Sequence, residues 1–239
     1  MDVTIRQGPA YGVARLGLAP NEPVRVESGA MMAMSAGVLL QSKAEGGIMK
    51  SLKRAALGGE SFFVSTYTAP PQGGFVDVAA RLPGDVTMFD VVPGRALFIS
   101  KGSWLANEVN VTVDAKWGGF KNMFGSEGGF IIRAEGQGKV VFACYGALEV
   151  WNLEAGQGIT VDTGHMVAYE DTVQMGLRQA SGGGMMQTFK SGEGLVFDFS
   201  GPGRVWTQTR NPNEFLGWIQ SVLGTSNSAT PLGGLFGRD

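Results

Sequence analysis

The fold is decided by the stretch GEGLVFDFSGPGRVWT, residues 192–207. Within it Leu195, Phe197 and Phe199 alternate with side chains that point the other way, which is the period of a pleated strand with one buried face. The Gly-Pro-Gly run at 201–203 then supplies a residue of fixed φ followed by one that tolerates positive φ, a pattern typical of a type II turn. Residues 192–207 therefore predict a strand, a tight turn and a second strand.

The same design occurs twice more upstream. A glutamate precedes each predicted strand–turn–strand unit, at the almost equally spaced positions Glu60, Glu127 and Glu193. A second element also recurs, in residues 22–31, 93–104 and 155–166. Two elements in the same order three times indicate units of about 65 residues, each burying its apolar face against its neighbours. We therefore predict three β-modules packed around an approximate threefold axis.

The predicted fold class is all-β, with a short helix at the C-terminal end. We expect one domain over residues 1–224, with units of roughly 1–80, 81–150 and 151–211, followed by a helix over 213–223. Asn213 is the predicted N-cap of this helix and Gly224 the predicted end. Residues 225–239 are rich in Ser and Gly and lack periodicity, which predicts a flexible tail.

The composition is that of a turn-rich globular protein. Of the 239 residues, 44% are apolar, only 17% are charged and 38 are glycine, which argues against a disordered or coiled-coil chain. So low a charge content indicates that a partner chain covers part of the surface. The net charge of −2 provides no general attraction to nucleic acid or to anionic lipid, and nucleic acid is therefore a disfavoured partner.

The sequence also bears on the cellular compartment. Cys144 is the single cysteine, so an intramolecular disulfide cannot form and a reducing compartment is favoured. It lies in an apolar strand, and we expect it to be a small buried core residue. The N-terminus lacks the features of a signal peptide, and no stretch reaches the roughly 18–20 apolar residues that span a bilayer. We therefore expect a soluble, cytoplasmic protein.

Side chains that would support enzyme chemistry are sparse. His165 is the only histidine, which disfavours the several-histidine metal site of a cupin-type barrel, and there is no cysteine pair for zinc. No nucleophile elbow accompanies His165, and glycines 182–184 lack the Lys-Ser/Thr of a phosphate-binding loop. We therefore predict no catalytic residue, no cofactor and no metal site.

The repeated glutamates Glu60, Glu127 and Glu193 have two interpretations. In the functional one they gather near the threefold axis and bind a cation or a cationic ligand. In the structural one each carboxylate accepts backbone N–H groups in the turn that opens a strand. The structural interpretation is favoured, because a shared turn would produce the same position three times in one chain.

Each glutamate strand is preceded by an apolar segment that carries basic residues. If the units share one end of the molecule, these segments form a patch there that contacts a membrane surface or a protein partner. Alternatively, they pack in the core or in a subunit interface. The predicted contact residues are Met49, Lys50, Leu52, Lys53, Arg54, Trp117, Phe120, Lys121 and Phe124, and the third segment carries Met185, Met186 and Lys190.

Four sets of motifs point to a known family: Glu27–Met31, Leu52–Arg54 with Gly59–Phe63, Val161–His165, and Ser191–Val196 with Gln208–Asn211. Together they resemble the mitochondrial biogenesis (altered inheritance of mitochondria, type 24) family of bacterial, archaeal and mitochondrial proteins. The resemblance implies a fold similar to that of the tryptophan RNA-binding attenuation protein, with short double-stranded β-helix modules repeated in one chain, and a trimeric assembly. Mitochondrial relatives are linked to inner-membrane organisation, and no catalytic residues are established for the family.

The function expected from these observations is that of a non-enzymatic scaffold or binding protein. We expect a homo-oligomer, with a trimer favoured, that is cytoplasmic and lies peripherally at the inner face of the membrane. The alternative is an RNA-binding regulator, by analogy with the attenuation protein. The acidic balance of charge argues against that alternative, and fold analogy alone does not establish a function.

Overall fold

The computed structural model describes residues 1–41, 64–116, 131–180 and 194–223. The described part contains nineteen β-strands and one α-helix, so the predicted all-β class with a C-terminal helix is confirmed. The first seven strands are β1 (Asp2–Arg6), β2 (Val13–Leu18), β3 (Pro23–Glu27), β4 (Met31–Met34), β5 (Leu39–Gln41), β6 (Val64–Thr68) and β7 (Gly74–Ala79). The next six are β8 (Val86–Val91), β9 (Leu97–Ser100), β10 (Trp104–Glu108), β11 (Val111–Lys116), β12 (Ile131–Gly136) and β13 (Gly138–Ala143). The last elements are β14 (Leu148–Leu153), β15 (Gly158–Asp162), β16 (Met166–Glu170), β17 (Gln174–Gln179), β18 (Leu195–Ser200), β19 (Gly203–Gln208) and the helix α1 (Pro212–Leu223).

These strands build four antiparallel sheets. Their orders are β1-β2-β7-β4, β5-β6-β3-β10-β13-β8, β11-β12-β9-β16-β19-β14 and β15-β18-β17. Two three-stranded arrangements recur within them. One is β2-β7-β4, β8-β13-β10 and β14-β19-β16, and the other is β3-β6-β5, β9-β12-β11 and β15-β18-β17.

The three segments that were predicted to be alike, residues 22–31, 93–104 and 155–166, share one conformation. In each, a strand is followed by a three-residue turn and a second strand; the turns are residues 28–30, Lys101–Ser103 and Thr163–His165. The second strand also carries a β-bulge at the same place each time, opposite β7, β13 and β19. We call β2 to β7, β8 to β13 and β14 to β19 the first, second and third sets of strands. The strand pairing is the same within the three sets, while the approximate threefold axis and the unit boundaries stay predictions.

A polar contact also recurs where the chain reaches the end of β4, β10 or β16, beside the start of β7, β13 or β19. Ser35 Oγ accepts a hydrogen bond from Phe75 N at 3.0 Å, and Glu108 Oε2 accepts one from Lys139 N at 3.0 Å. In the third set Glu170 Oε2 accepts from Arg204 N at 2.8 Å. Each donor follows the glycine that begins a strand, so the three side chains hold the starts of β7, β13 and β19 at equivalent points.

Three hydrophobic clusters form the core, largely one for each set of strands. The first is built on β2, β3 and β7, the second on β9, β12 and β13, and the third on β16, β18 and β19. The alternating burial of β2 and β3 shows how one face of each strand enters these clusters. Trp104, Phe142 and Phe199 are the bulkiest of the fully buried side chains. Each cluster thus buries the apolar faces of amphipathic strands, which is how sheets of this kind form a core.

The decisive stretch forms the two predicted strands, β18 and β19, with a turn between them that differs from the predicted one. The two strands do not pair with each other, because β18 pairs with β15 and β17 while β19 pairs with β14 and β16. The Gly201–Pro202 peptide bond is cis. A type II turn has a φ of about 80° at its third residue, which here is Gly203, and the observed value is far from it, so the predicted turn type is wrong. Gly203 does adopt a positive φ, of 138°. The predicted helix is confirmed with an earlier start, because Asn211 Oδ1 accepts the Asn213 N–H at 2.9 Å and Asn211, rather than Asn213, is the cap.

Candidate functional site

The predicted contact residues all lie outside the described part of the chain. This applies to Met49, Lys50, Leu52, Lys53, Arg54, Trp117, Phe120, Lys121 and Phe124, and equally to Glu60, Glu127 and Glu193. Neither the two interpretations of the glutamates nor those of the apolar segments are decided by the described residues. The tail predicted over 225–239 lies outside them as well.

The strands that flank these segments are described, and their directions fix where each segment is attached. Each segment joins two antiparallel neighbours: β5 to β6, β11 to β12, and β17 to β18. The first strand of each pair runs in the same direction as β3, β9 or β15, because both are antiparallel to the strand between them. All three attachment points therefore lie at the end of the molecule where β3, β9 and β15 finish, which we call the turn end.

A cavity of about 330 Å³ opens at the turn end. The turns Lys101–Ser103 and Thr163–His165 contribute to its wall, as does Glu27 at the end of β3, together with residues that follow β7, β13 and β19. The lining residues are Glu27, Ala80, Arg81, Leu82, Ser100, Gly102, Ser103, Leu105, Ala143, Cys144, Tyr145, Thr163, Gly164, Met166, Gln208, Asn211, Pro212 and Asn213. The cavity is therefore the place where the three sets of strands meet.

Hydrogen bonds within the protein engage several polar groups at the cavity wall. Gln208 Nε2 donates to the Gly164 carbonyl at 2.9 Å, and its Oε1 accepts from Tyr145 N at 2.9 Å. The Nδ1 atom of His165 lies 2.6 Å from the Gln208 carbonyl oxygen, which can only accept, so this nitrogen carries the proton. These bonds fasten the third turn to the ends of β13 and β19, which is a structural role.

Cys144 is buried as predicted, with 4% of its surface exposed. Its Sγ donates to the Gly146 carbonyl at 3.3 Å. Burial raises the pKa of the thiol to about 11. Since the thiolate is the nucleophilic form, Cys144 is unreactive at neutral pH.

Two buried carboxylates are held by pairs of arginines away from the cavity. Asp77 accepts two hydrogen bonds from Arg15, both at 2.9 Å, and one from Arg6 at 2.7 Å. The hydrogen bonds from Arg15 hold the pKa of Asp77 below its ordinary value. Burial raises the pKa of Glu170, but hydrogen bonds from Arg204 outweigh this and the pKa lies below its ordinary value.

Large apolar side chains are exposed at several places in the described part of the chain, and two of these places hold four each. On α1, Leu216, Trp218, Val222 and Leu223 are 54–76% exposed. Phe215 on the same helix packs against Tyr145 with ring centroids 5.7 Å apart, next to the cavity. The other place comprises β4 and β5, where Met32, Met34, Leu39 and Leu40 are 40–62% exposed.

Within residues 1–41, 64–116, 131–180 and 194–223, no three His, Cys, Asp or Glu side chains are grouped closely enough to hold a metal ion. A helix of the length and apolarity needed to cross a bilayer is likewise absent from these ranges.

Sequence reasoning missed the recurring acceptors Ser35, Glu108 and Glu170. Their residue types differ, so no pattern of letters marks them as equivalent. Only the bulges align them, because each acceptor follows its bulge at the same distance along the second strand. The glutamates that do repeat in the sequence lie elsewhere.

Comparisons with known proteins agree on family and fold. The model of a family described as mitochondrial biogenesis AIM24 matches residues 3–210. An uncharacterized protein of Streptococcus pyogenes serotype M6 is 25% identical over 237 residues, covering 95% of this chain and 93% of that protein. The crystal structure of a Streptococcus pyogenes protein from a structural genomics consortium is similar, with a TM-score of 0.77 and 23% identity. That match covers 92% of this chain and 99% of the other, and it bears on the fold alone.

Proposed function

The chain belongs to the AIM24 family of mitochondrial biogenesis proteins, and from this premise we propose that it is a non-enzymatic scaffold or binding protein. In this proposal the chain associates with copies of itself and lies peripherally at the inner face of a membrane. The membrane contact is made at the turn end, through the apolar and basic segments that carry Lys50, Lys53 and Lys121.

One observation carries this proposal. The three pairs of strands that flank the segments open toward the same end of the molecule. Met49 and Leu52 belong to the first segment and Trp117 and Phe120 to the second, and in this proposal they meet the membrane at that end. Apolar and basic side chains combined on one surface suit the interfacial region of a bilayer, where burial of the apolar groups adds to attraction toward anionic headgroups.

The non-enzymatic part of the proposal is supported by the bonding of the polar groups at the turn end. Gln208 and His165 bond to backbone atoms, and the Cys144 thiol donates to a carbonyl. Such groups are committed to holding the three sets of strands together. The similar protein of Streptococcus pyogenes serotype M6 is itself described only as uncharacterized.

RNA binding is the alternative, by analogy with the attenuation protein. It is weaker, because a net charge of −2 opposes the electrostatic attraction on which protein–RNA affinity largely depends. The likeness to that protein's fold stays a prediction. A salt-dependent shift of labelled RNA would favour this alternative over membrane contact.

Flotation with vesicles of phosphatidylcholine and phosphatidylserine tests the membrane contact. We expect the wild-type protein to float, and a variant with Lys50→Gln, Lys53→Gln and Arg54→Gln to lose most of the floating fraction, since each basic residue near such a surface contributes about 1 kcal/mol. Higher salt should weaken flotation of the wild type.

The matched control makes the same change in net charge at the opposite end of the molecule. Gln72, Gln137 and Gln157 are exposed in loops at that end, and replacing all three with Glu also lowers the net charge by three elementary charges. We expect this control to float like the wild type. A wild-type protein that stays at the bottom of the gradient, or a control that loses as much flotation as the variant, contradicts the proposal.

A further inference from the structure

Two strand edges in the described part of the chain lack the neighbour that their equivalents have. Strand β3 of the first set pairs with β10 of the second, and β9 of the second pairs with β16 of the third. By the same rule β15 of the third set would pair with the counterpart of β10 and β16, which is β4. However, β4 and β15 each lie at the edge of a separate sheet.

The burial of these strands shows that this junction is open. Every residue of β16 is buried, and so are the first four of β10, whereas no residue of β4 is. At the bulge, Leu105 and Val167 are 1% and 0% exposed, but the equivalent Met32 is 54% exposed. The first set thus presents an apolar edge that is covered in the other two sets.

Neither edge carries the lysine or proline that keeps many exposed strands apart, and the bulge in β4 also occurs in β10 and β16, which nevertheless pair with β3 and β9. Natural edge strands are protected by lysine, proline or inward-pointing charges. Strand β4 reads Met-Met-Ala-Met and contains none of these. Strand β15 reads Gly-Ile-Thr-Val-Asp, and its one charged side chain, Asp162, is engaged with the N–H of Gly164 at 2.8 Å.

We propose that the β4 edge of one copy of this chain pairs antiparallel with the β15 edge of a second copy. The pairing joins the β1-β2-β7-β4 and β15-β18-β17 sheets into one continuous sheet, as β3–β10 and β9–β16 already do within the chain. This inference deepens the self-association in the proposed function and rests on that part of it. The two edges are different surfaces, so the contact is heterologous and each copy offers one edge to each neighbour.

The two existing junctions specify the register. Ala106 pairs with Val26, and Ala168 pairs with Ile99. The equivalent of both alanines, counted from the bulge, is Ala33. The equivalent of Val26 and Ile99, counted from the turn, is Val161. Ala33 of one copy therefore lies opposite Val161 of the next, and Met34 lies opposite Thr160.

Cysteine cross-linking between two separately made proteins tests this register. One protein carries Met34→Cys and the other Thr160→Cys, both in a background with Cys144→Ala. Both positions are exposed, and directly opposite Cβ atoms in an antiparallel pair come close enough for a disulfide. Mild oxidation of the mixture should convert most of the monomer to a covalent heterodimer, whereas neither protein alone should do so.

The control mixture replaces Thr160→Cys with Ile159→Cys, which shifts the register by one residue and places the thiol on the other face of the strand. We expect it to stay largely monomeric. Absence of heterodimer from the Met34–Thr160 mixture, or equal yields from the two mixtures, overturns the proposal. A chain carrying both Met34→Cys and Thr160→Cys that forms only an internal disulfide overturns it too, because the edges would then close within one copy.

A second variant addresses self-association without cross-linking. Met32→Lys adds a charge to an exposed edge position and should leave the fold intact while shifting the native mass toward one chain of 25.2 kDa. An unchanged native mass contradicts the junction. Flotation and cross-linking use different residues, so a failure of membrane contact and a failure of this junction are distinguishable.

Discussion

Replacing Glu170 with Ala should cost about 3 kcal/mol of folding free energy. The Glu170 side chain is buried, with 4% of its surface exposed. Its carboxylate accepts from the Arg204 N–H and from Nη2 of the same residue, both at 2.8 Å. It also accepts from Arg95 Nη2 at 3.2 Å. One side chain thus compensates two arginines and one backbone donor.

The magnitude follows from what each partner loses. Removing one member of a buried ion pair costs about 3–5 kcal/mol when the other charge stays buried. Here the side chains of Arg95 and Arg204 are 52% and 43% exposed, so water solvates them and the lower end of that range applies. The backbone N–H of Arg204, which loses its hydrogen-bond acceptor, accounts for about 1–3 kcal/mol of the loss. Glu170→Gln keeps an acceptor for that N–H and should cost about half as much.

Equilibrium unfolding in urea measures these differences, with Glu135→Ala as the control. The Glu135 carboxylate also pairs with an arginine, Arg133, but 45% of its side chain is exposed. Exposed pairs of this kind contribute about 0–1 kcal/mol. If Glu170→Ala costs no more than Glu135→Ala, or if the Gln and Ala variants are equally unstable, the reasoning about the buried acceptor is refuted.

Three further predictions concern other parts of the molecule. Asp77 has a lowered pKa, so in acid the unfolded chain binds more protons than the folded one. The contribution of Asp77 to stability is therefore complete above the ordinary carboxyl pKa and falls as the pH drops below it. Unfolding curves measured at several pH values should show that Asp77→Asn flattens this dependence. Gly203→Ala should destabilise the protein by about 2–4 kcal/mol, because a Cβ there meets Thr172 and Val173 at a φ of 138°, while Gly156→Ala, with no atom within 4 Å, should cost only about 1–2 kcal/mol in the same assay. Cys144 should react with a thiol reagent only after unfolding, and rapid labelling of the native protein would contradict its burial.

Local chemistry made the successive strands and the turns between them predictable. Alternating apolar residues and glycine-rich turns specify each element over a few positions, and residues 22–31, 93–104 and 155–166 all formed the same unit. The helix cap was predicted two residues late, at Asn213 instead of Asn211, and the helix itself one residue late. Pro212 was the signal that could have corrected it, since proline is favoured at the first helical position and places the cap at Asn211.

The contacts between distant parts of the chain could not be read in this way. Ser35 and Phe75 are 40 residues apart, and Glu170 and Arg204 are 34 apart. The residue types at these equivalent positions differ, because a hydroxyl and a carboxylate accept the same backbone N–H equally well. The two junctions between sets likewise depend on which strand edges face each other, and a strand's own alternation does not encode that choice.

Hydrogen exchange of the backbone amides in β4 and β15, measured on the full chain at a concentration where it is assembled, tests the central claim most directly. If β4 and β15 of neighbouring copies form the same kind of junction as β3–β10 and β9–β16, the amides on their outer edges should exchange as slowly as those of β10 and β9 at the internal junctions. Exchange of those amides at the rate of open loops, while β9 and β10 stay protected, would contradict the account.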